Sequence, residues 1–270
     1  MILSRRSKLP VLACCRLLGI SRASLYRKRV EKVLDEEALV RLAGAHPRFG
    51  YRRLAVLLGV SKKSMRNRMS RLGLMLARRK TRKRTTFPVP VEAPNLCKPV
   101  TGPGELLVSD FTFIELTQGF AYFAITLDVF TRKVLGWSIS RSMKSDFTVE
   151  ALEMALSYGC LAPNWIHHSD RGCQYASRPF RDKVRALGGT SSFSKPASPA
   201  ENAFAESFFS RFKDEVISVR ECRSYAETVT EVRKHVAEYN EIRQHSSLGD
   251  ISPSTFEKRH AENALKLCVS

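Results

Sequence analysis

"ELLVSDFTFIEL", residues 105–116, places an acid inside a run that is otherwise apolar and β-prone. Alternation along a strand puts Leu106, Val108 and Asp110 on one face. A carboxylate on an apolar face must ion-pair or hold a metal ion, because burying it bare is costly. Asp110 is therefore the first candidate functional residue.

The segments that follow set the frame around that strand. "FAYFAITLDVFTRKVLGWSIS" (120–140) reads as two further strands joined by a turn near Asp128–Lys133. Three consecutive strands predict an antiparallel meander. "SDFTVEALEMALSYG" (145–159) reads as a helix capped by Ser145, with Val149, Leu152, Ala155 and Leu156 at helical spacing. A short strand is expected to end in the stretch His167–Asp170, beside the first one. A helix near 177–187, a turn at Gly188–Gly189, a short strand, a helix from about Pro199 and helices over 224–240 and 252–266 complete the series. This order predicts an α/β layer on a mixed sheet. The strand ending at Asp170 brings a second acid toward Asp110.

The third acid comes from helical geometry. In "SPAENAFAESFFSRFKDE" (198–215), Phe204, Phe208 and Phe212 recur every four residues and predict one apolar stripe. Glu206 is expected on the opposite side, with Asn202, Lys213 and Phe209. Thirty-five residues separate Asp170 from Glu206.

Charge divides the chain. Its 270 residues carry 45 Lys+Arg against 26 Asp+Glu, a net of +19. Residues 1–86 hold 24 basic groups and four acids, whereas residues 87–270 balance 21 against 22. A basic module joined to a near-neutral body points to a polyanion, with DNA or RNA ahead of an anionic membrane or a ribosomal surface. An internal repeat supports the first reading. "LLGISRASLYRKR" (17–29) aligns with "LLGVSKKSMRNRM" (57–69). Gly19 and Gly59 suit the left-handed residue that closes a helix, and Ser21 and Ser61 suit the cap of the next. Ile20 and Val60 would pin each turn to a core. This is helix-turn-helix grammar, and the second helix of each copy carries the charge. Arg22, Arg27, Lys28 and Arg29 stand in the first, and Lys62, Lys63, Arg66, Arg68 and Arg71 in the second. Arg78, Arg79, Lys80, Arg82, Lys83 and Arg84 follow in "ARRKTRKRTTFPVP" (77–90), which reads as a phosphate-tracking linker. The alternative for each hairpin is a solvated face.

Seven scattered cysteines without Cys-x-x-Cys argue against a disulfide scaffold or a zinc ribbon and fit a reducing cytosol. After "SRRSK" the apolar run is broken by Pro10 and Arg16, so no export signal is expected, and no run is long enough to span a bilayer. In "NWIHHSDRGCQYAS" (164–177), His167 and His168 read as structural histidines. A supporting contact from His168 to Asp170 or phosphate is the alternative, and zinc binding by His167, His168 and Cys173 is disfavoured because a tetrahedral ligand set is missing. Asp128 reads as a turn aspartate, Glu115 as a surface residue and Asp146 as a cap. Tyr239, Asn240, Arg243 and His245 could dock on the core or touch DNA.

"SDFT", "HSDRGCQYAS" and "PAENAFAESFF" together resemble the acidic triad of retroviral-integrase-type transposases, including its 35-residue gap. "EYNEIRQHSSLGDISPSTFE" (238–257) is similar to the tail of the catalytic subunit of IS3-family insertion sequences, and "HPRFGYRRL" (46–54) with "LLGISRASLYR" to its N-terminal helical region. Two places depart from the common pattern: Glu201 stands where many relatives have Asp, and "FSKPASPAEN" (193–202) replaces a Ser-Arg-x-Gly form.

The resemblance implies an RNase H-like, integrase-type mixed sheet flanked by helices and preceded by an all-α helix-turn-helix region. The expected boundaries are 1–76 for the helical DNA-binding region, 77–104 for the linker and 105–262 for the core with its C-terminal helices. It assigns the catalytic triad to Asp110, Asp170 and Glu206. Two Mg²⁺ ions would be held there, with Mn²⁺ as substitute, Asp110 shared between them and one further acid on each. His168, Asn202 and Lys213 are candidate supports. Asn202 and Lys213 could orient DNA near Glu206 or, as exposed polar residues, do nothing. The implied activity is transposition: binding of the element's terminal repeats, metal-dependent strand cleavage with water, and strand transfer by the liberated 3′-OH, the first joining circularising the element. Implied partners are double-stranded DNA, further copies of the chain in a synaptic complex, and an upstream reading frame as partner or fusion. The expected location is the bacterial cytoplasm, at the nucleoid. Two other readings are a catalytically dead DNA-binding regulator and an RNase H-like nuclease acting on hybrids or junctions.

Overall fold

A computed structural model of the chain describes residues 11–17, 19, 21, 35–47, 49–76, 94–97, 99–144, 146–159, 161–195, 202–217 and 224–269. The chain divides into two compact units, Met1–Leu76 and Ala77–Ser270.

The first unit contains α1 (Val11–Leu17), α2 (Glu36–Ala45), α3 (Tyr51–Leu57) and α4 (Lys62–Arg71). Asp35 starts α2 by accepting the Glu37 N–H at 3.0 Å, and Glu36 and Glu37 sit where the helix dipole favours acids. The second copy of the repeat folds as its sequence predicts. Gly59 ends α3 with φ +61°, and the Val60 N–H returns to the Ala55 carbonyl at 3.0 Å. Ser61 then caps α4 through the Ser64 N–H at 3.1 Å. Leu39, Leu54, Ala55, Met65 and Met69 form the core, with Val60 packed against it. Gly19 has the same φ of +61°, but the second helix of the first copy, with Arg22, Arg27, Lys28 and Arg29, lies outside the described residues.

The second unit is built on β1 (Leu106–Glu115), β2 (Phe120–Asp128), β3 (Val134–Ser140), β4 (Ile166–Ser169) and β5 (Thr190–Phe193), in the spatial order β3-β2-β1-β4-β5. β1, β2 and β3 are antiparallel neighbours. β4 lies parallel to β1, and β5 parallel to β4. This mixed sheet is the RNase H-like arrangement. The helices are α5 (Asp146–Ser157), α6 (Cys173–Ala176), α7 (Arg178–Ala186), α8 (Ala203–Phe212), a π-helical turn (Lys213–Ile217), α9 (Tyr225–Glu241) and α10 (Pro253–Val269). None among the described residues is long and apolar enough to cross a membrane.

Each sheet face has its own core. On one face Leu106, Val108, Ile114, Phe123, Ile125 and Leu127 meet Ala205, Phe208, Phe209 and Phe212 of α8 and Val232, Val236 and Tyr239 of α9. Phe123 lies at its centre, edge-on to Phe208, Phe209 and Phe212 at 6.1, 5.4 and 5.0 Å. Burying each such ring contributes about 2–3 kcal/mol. On the other face, Leu107, Leu135, Leu152, Trp165, Tyr175, Phe180, Val184 and Phe193 pack together. α5 lies so close to β3 that a Cβ on Gly136 would come 2.0 Å from the Ala151 carbonyl oxygen.

Three expectations need correcting. The apolar stripe of α8 is Ala205, Phe208, Phe209 and Phe212, not Phe204, Phe208 and Phe212. Phe204 is 38% exposed beneath the Arg132 guanidinium, 3.6 Å from its ring centre. Asn202, read as an exposed polar residue, is buried. The segment read as linker is already part of the core by Pro94. The Pro94 carbonyl accepts the Phe193 N–H at 3.3 Å, the Leu96 N–H donates to Ser192 Oγ at 2.8 Å, and Leu96 and Val100 pack against the sheet. Arg78, Arg79, Lys80, Arg82, Lys83 and Arg84 lie outside the described residues, as do Ser145 and residues 196–201.

Candidate active site

The strand register brings the first two acids together. Parallel pairing runs from Leu106↔Ile166 to Ser109↔Ser169, and the next residue on each chain is an aspartate: Asp110 and Asp170. Paired strands lie about 4.8 Å apart, so the two carboxylates leave neighbouring backbones side by side. Each is oriented by a local N–H. Asp110 Oδ1 accepts from Phe111 at 2.8 Å, and Asp170 Oδ1 accepts from Gly172 at 2.9 Å. Glycine is needed at 172, because a Cβ there would sit 2.9 Å from that same Oδ1.

The third acid stands at the flank of α8. With Ala205, Phe208, Phe209 and Phe212 buried, Glu206 is carried on an exposed edge of the helix. Asn202 fastens the start of α8 to β1 by donating Nδ2–H to the Ser109 carbonyl at 3.3 Å, one residue before Asp110. Its Oδ1 is buried without a hydrogen-bond partner. At the other end of α8, the Lys213 ammonium lies 5.8 Å from the Phe113 ring centre. Below it, Glu215 pairs with Arg243.

These groups act on one another electrostatically. Burial first, then the charge of Asp170 and more weakly that of Glu206, push the Asp110 carboxyl up from its ordinary 3.8 to about 8. The Phe111 N–H and Lys213 work in the opposite direction. Tyr175, whose hydroxyl is buried without a partner, is raised well above 10 by burial, Asp110 and Asp170. The acids are gathered but not closed into a cage: among the described residues, no group of three or more His, Cys, Asp or Glu side chains is placed to hold a metal ion.

The histidines are committed elsewhere. His167 Nε2 lies 2.9 Å from Ser109 Oγ, and its pKa is pushed down to about 3 by burial and by His168. His168 is held on both ring nitrogens, by Ser192 Oγ at 2.9 Å and Ser194 Oγ at 3.0 Å. The two rings leave opposite faces of β4, and Cys173 is exposed. Asp128 is a buried turn residue that accepts from Gly104 N–H, Thr131 N–H and Thr131 Oγ–H at 3.1, 2.9 and 2.7 Å.

The tail docks on the core. Asn240 bonds both the N–H and the carbonyl of Val134, at 3.0 and 2.9 Å. Tyr239 packs edge-on to Phe208 at 4.9 Å. Arg243 is buried beside Glu215.

In the helical unit, Lys62, Lys63, Arg66 and Arg71 are exposed on α4 and Arg68 is half-buried. Met65 and Met69 on its other side are buried. The helix therefore offers a basic outer face.

Sequence reasoning passed over Tyr175 and Ser109 as contributors, and left Arg243 open between docking on the core and touching DNA. Tyr175 lies within "HSDRGCQYAS", five residues after Asp170, so the signal was the motif itself. Ser109 and Arg243 act through partners distant in sequence, which no local pattern marks.

The chain is similar to insertion-element transposases and to integrase cores. Two integrase core domain models match residues 100–199 and 187–253. The transposase for insertion sequence element IS904 of Lactococcus lactis is 35% identical over 61% of this chain and 67% of its own length. The 31 kDa protein of insertion element IS600 from Shigella sonnei is 31% identical over 93% of this chain and 99% of its own. The crystallised catalytic core of BIV integrase covers 59% of this chain and 99% of its own, with 14% identity and a TM-score of 0.46. The extent of the insertion-element relatives, with the integrase core models on the sheet that carries Asp110 and Asp170, places the chain in the IS3 family of insertion-sequence transposases, enzymes with an integrase-type catalytic core.

Proposed function

We propose that Asp110, Asp170 and Glu206 are the catalytic acids with which this transposase cuts the ends of its element and joins them to DNA. The observation that carries this reading is the parallel register of β1 and β4, which delivers Asp110 and Asp170 at adjacent positions, with the charge of Glu206 reaching Asp110 from α8.

The donor set suits a hard divalent cation. All three side chains offer oxygen. Burial, with the charges of Asp170 and Glu206, raises Asp110 to about 8, so a divalent cation entering between the acids would displace that proton and offset their repulsion. Two Mg²⁺ ions, with Mn²⁺ as substitute, would be held by Asp110 in common, by Asp170 on one side and by Glu206 on the other. Such ions activate the attacking oxygen and stabilise the leaving one in an in-line displacement.

The remaining groups position the substrate. Asn202 anchors α8, and with it Glu206, to the strand of Asp110. Lys213 offers a cation to the phosphodiester. Lys62, Arg66 and Arg68, with the basic residues of the first repeat and of 78–84, hold duplex DNA through its phosphates, and α4 enters the major groove of the terminal repeat. Two ends have to meet, so the working form is an oligomer of this chain on DNA, alone or with the product of an upstream frame.

The test is purified protein with labelled element ends and Mg²⁺ or Mn²⁺. Nicked and joined products are expected with either ion and none with chelator. Tight binding of ends without any product in either ion would favour a DNA-binding regulator instead.

A further inference from the structure

We infer that Phe113 and Phe120 form a stacking platform for unpaired nucleotides of the DNA strand that enters the site; the inference rests on the catalytic reading of Asp110. The two rings meet edge to face at 5.8 Å on diagonal positions of β1 and β2. They are 51% and 47% exposed, although phenylalanine is ordinarily buried. β4 ends at Ser169, so beyond Asp110 the strand β1 keeps a partner only on the β2 side. The platform therefore lies on the open stretch beyond Asp110, on the opposite sheet face by alternation, and a DNA strand leaving the site reaches it round the free edge of β1. Phe113 is three residues further along β1, about 10 Å.

The chemistry of the patch selects its occupant. A base offers an apolar π-face to a ring and carries an anionic phosphate within a few ångströms of it. Here the Lys213 ammonium stands 5.8 Å from the Phe113 ring centre and also acts on the Asp110 carboxyl. An aromatic surface with a cation at its rim is the combination that binds single strands with little sequence preference. The half-buried position of Asp110 supplies the need. Parting the reacting strand from its complement lets its phosphodiester reach that half-buried carboxyl. Stacking the freed bases on Phe113 and Phe120 offsets the unpairing.

The experiment compares binding of the full chain, in chelator so that no chemistry occurs, to an element-end duplex that is fully paired and to one whose last few nucleotides are unpaired. The unpaired end is expected to bind about tenfold more tightly. The Phe113→Leu/Phe120→Leu variant, which keeps the apolar bulk, should lose that preference while binding the paired end as before. 5-Iododeoxyuridine in the unpaired tail should photocrosslink to the β1–β2 hairpin. Two results overturn the platform: an unchanged preference in the leucine variant, or a smaller oligomer of that variant with the preference intact, which makes the patch a contact between copies. Failure of the triad variants to abolish joining would instead sink the catalytic reading, a separate outcome.

Discussion

Asp110 and Asp170 are the residues that follow the last paired positions, Ser109 and Ser169, of two parallel strands. Their proximity is thus a property of sheet register and not of a loop. A one-residue slip of β4 would turn one carboxylate to the far face. The Ser109 hydroxyl guards this register by meeting His167 Nε2 and Thr126 Oγ1, both at 2.9 Å.

The raised pKa of Asp110 makes stability pH-dependent in the absence of metal. Between its unfolded value near 3.8 and its folded value of about 8 the native state binds the additional proton, so stability falls as pH rises through that window. Denaturant melts of metal-free protein across pH 5 to 8 should show this decline, about linear with pH. Asp110→Asn should flatten it. An equal slope in the variant would show that Asp110 is not the group responsible.

Tyr175 buries a hydroxyl that finds no hydrogen-bond partner. Removing an unsatisfied polar group from a packed site relieves its desolvation cost. Tyr175→Phe should raise stability by about 1 kcal/mol, read as a shift of the urea midpoint without a change in m-value. A loss of stability would mean that the hydroxyl is bonded in solution.

Much of this was legible in sequence because it rests on local periodicity. Alternation in 105–116 and 120–140 gives β1 to β3, and the Gly-Val-Ser signal at 59–61 gives the turn of the helical hairpin. The neighbouring positions of Asp110 and Asp170 followed from strand order. The face of α8 did not follow. Spacing alone ranks Phe204 with Phe208 and Phe212, whereas burial is decided by where Phe123 waits on β2. The partners of Asn202, Asn240 and Arg243 did not follow either, since Ser109, Val134 and Glu215 are far away in the chain.

Asn240 illustrates that long-range class. Its amide satisfies both backbone groups of Val134 at the start of β3. Asn240→Ala should destabilise the core by about 2 kcal/mol, because two buried backbone groups lose their partners. Hydrogen exchange should show the Val134 amide opening first. Unchanged protection there would place the anchor elsewhere.

The basic face of α4 should act as a phosphate clamp. Lys62→Ala with Arg66→Ala should weaken duplex binding and lower the slope of log affinity against log salt by about 2, with little effect on stability, since both side chains are exposed. An unaltered slope would remove α4 from the interface.

The most direct measurement is joining of labelled element ends by Asp110→Asn, Asp170→Asn and Glu206→Gln, scored beside binding of the same ends. If the three acids are one catalytic site, each variant binds as the wild type does and joins at least a thousandfold more slowly, about 4 kcal/mol of barrier. Joining at the wild-type rate by any one of them contradicts the account.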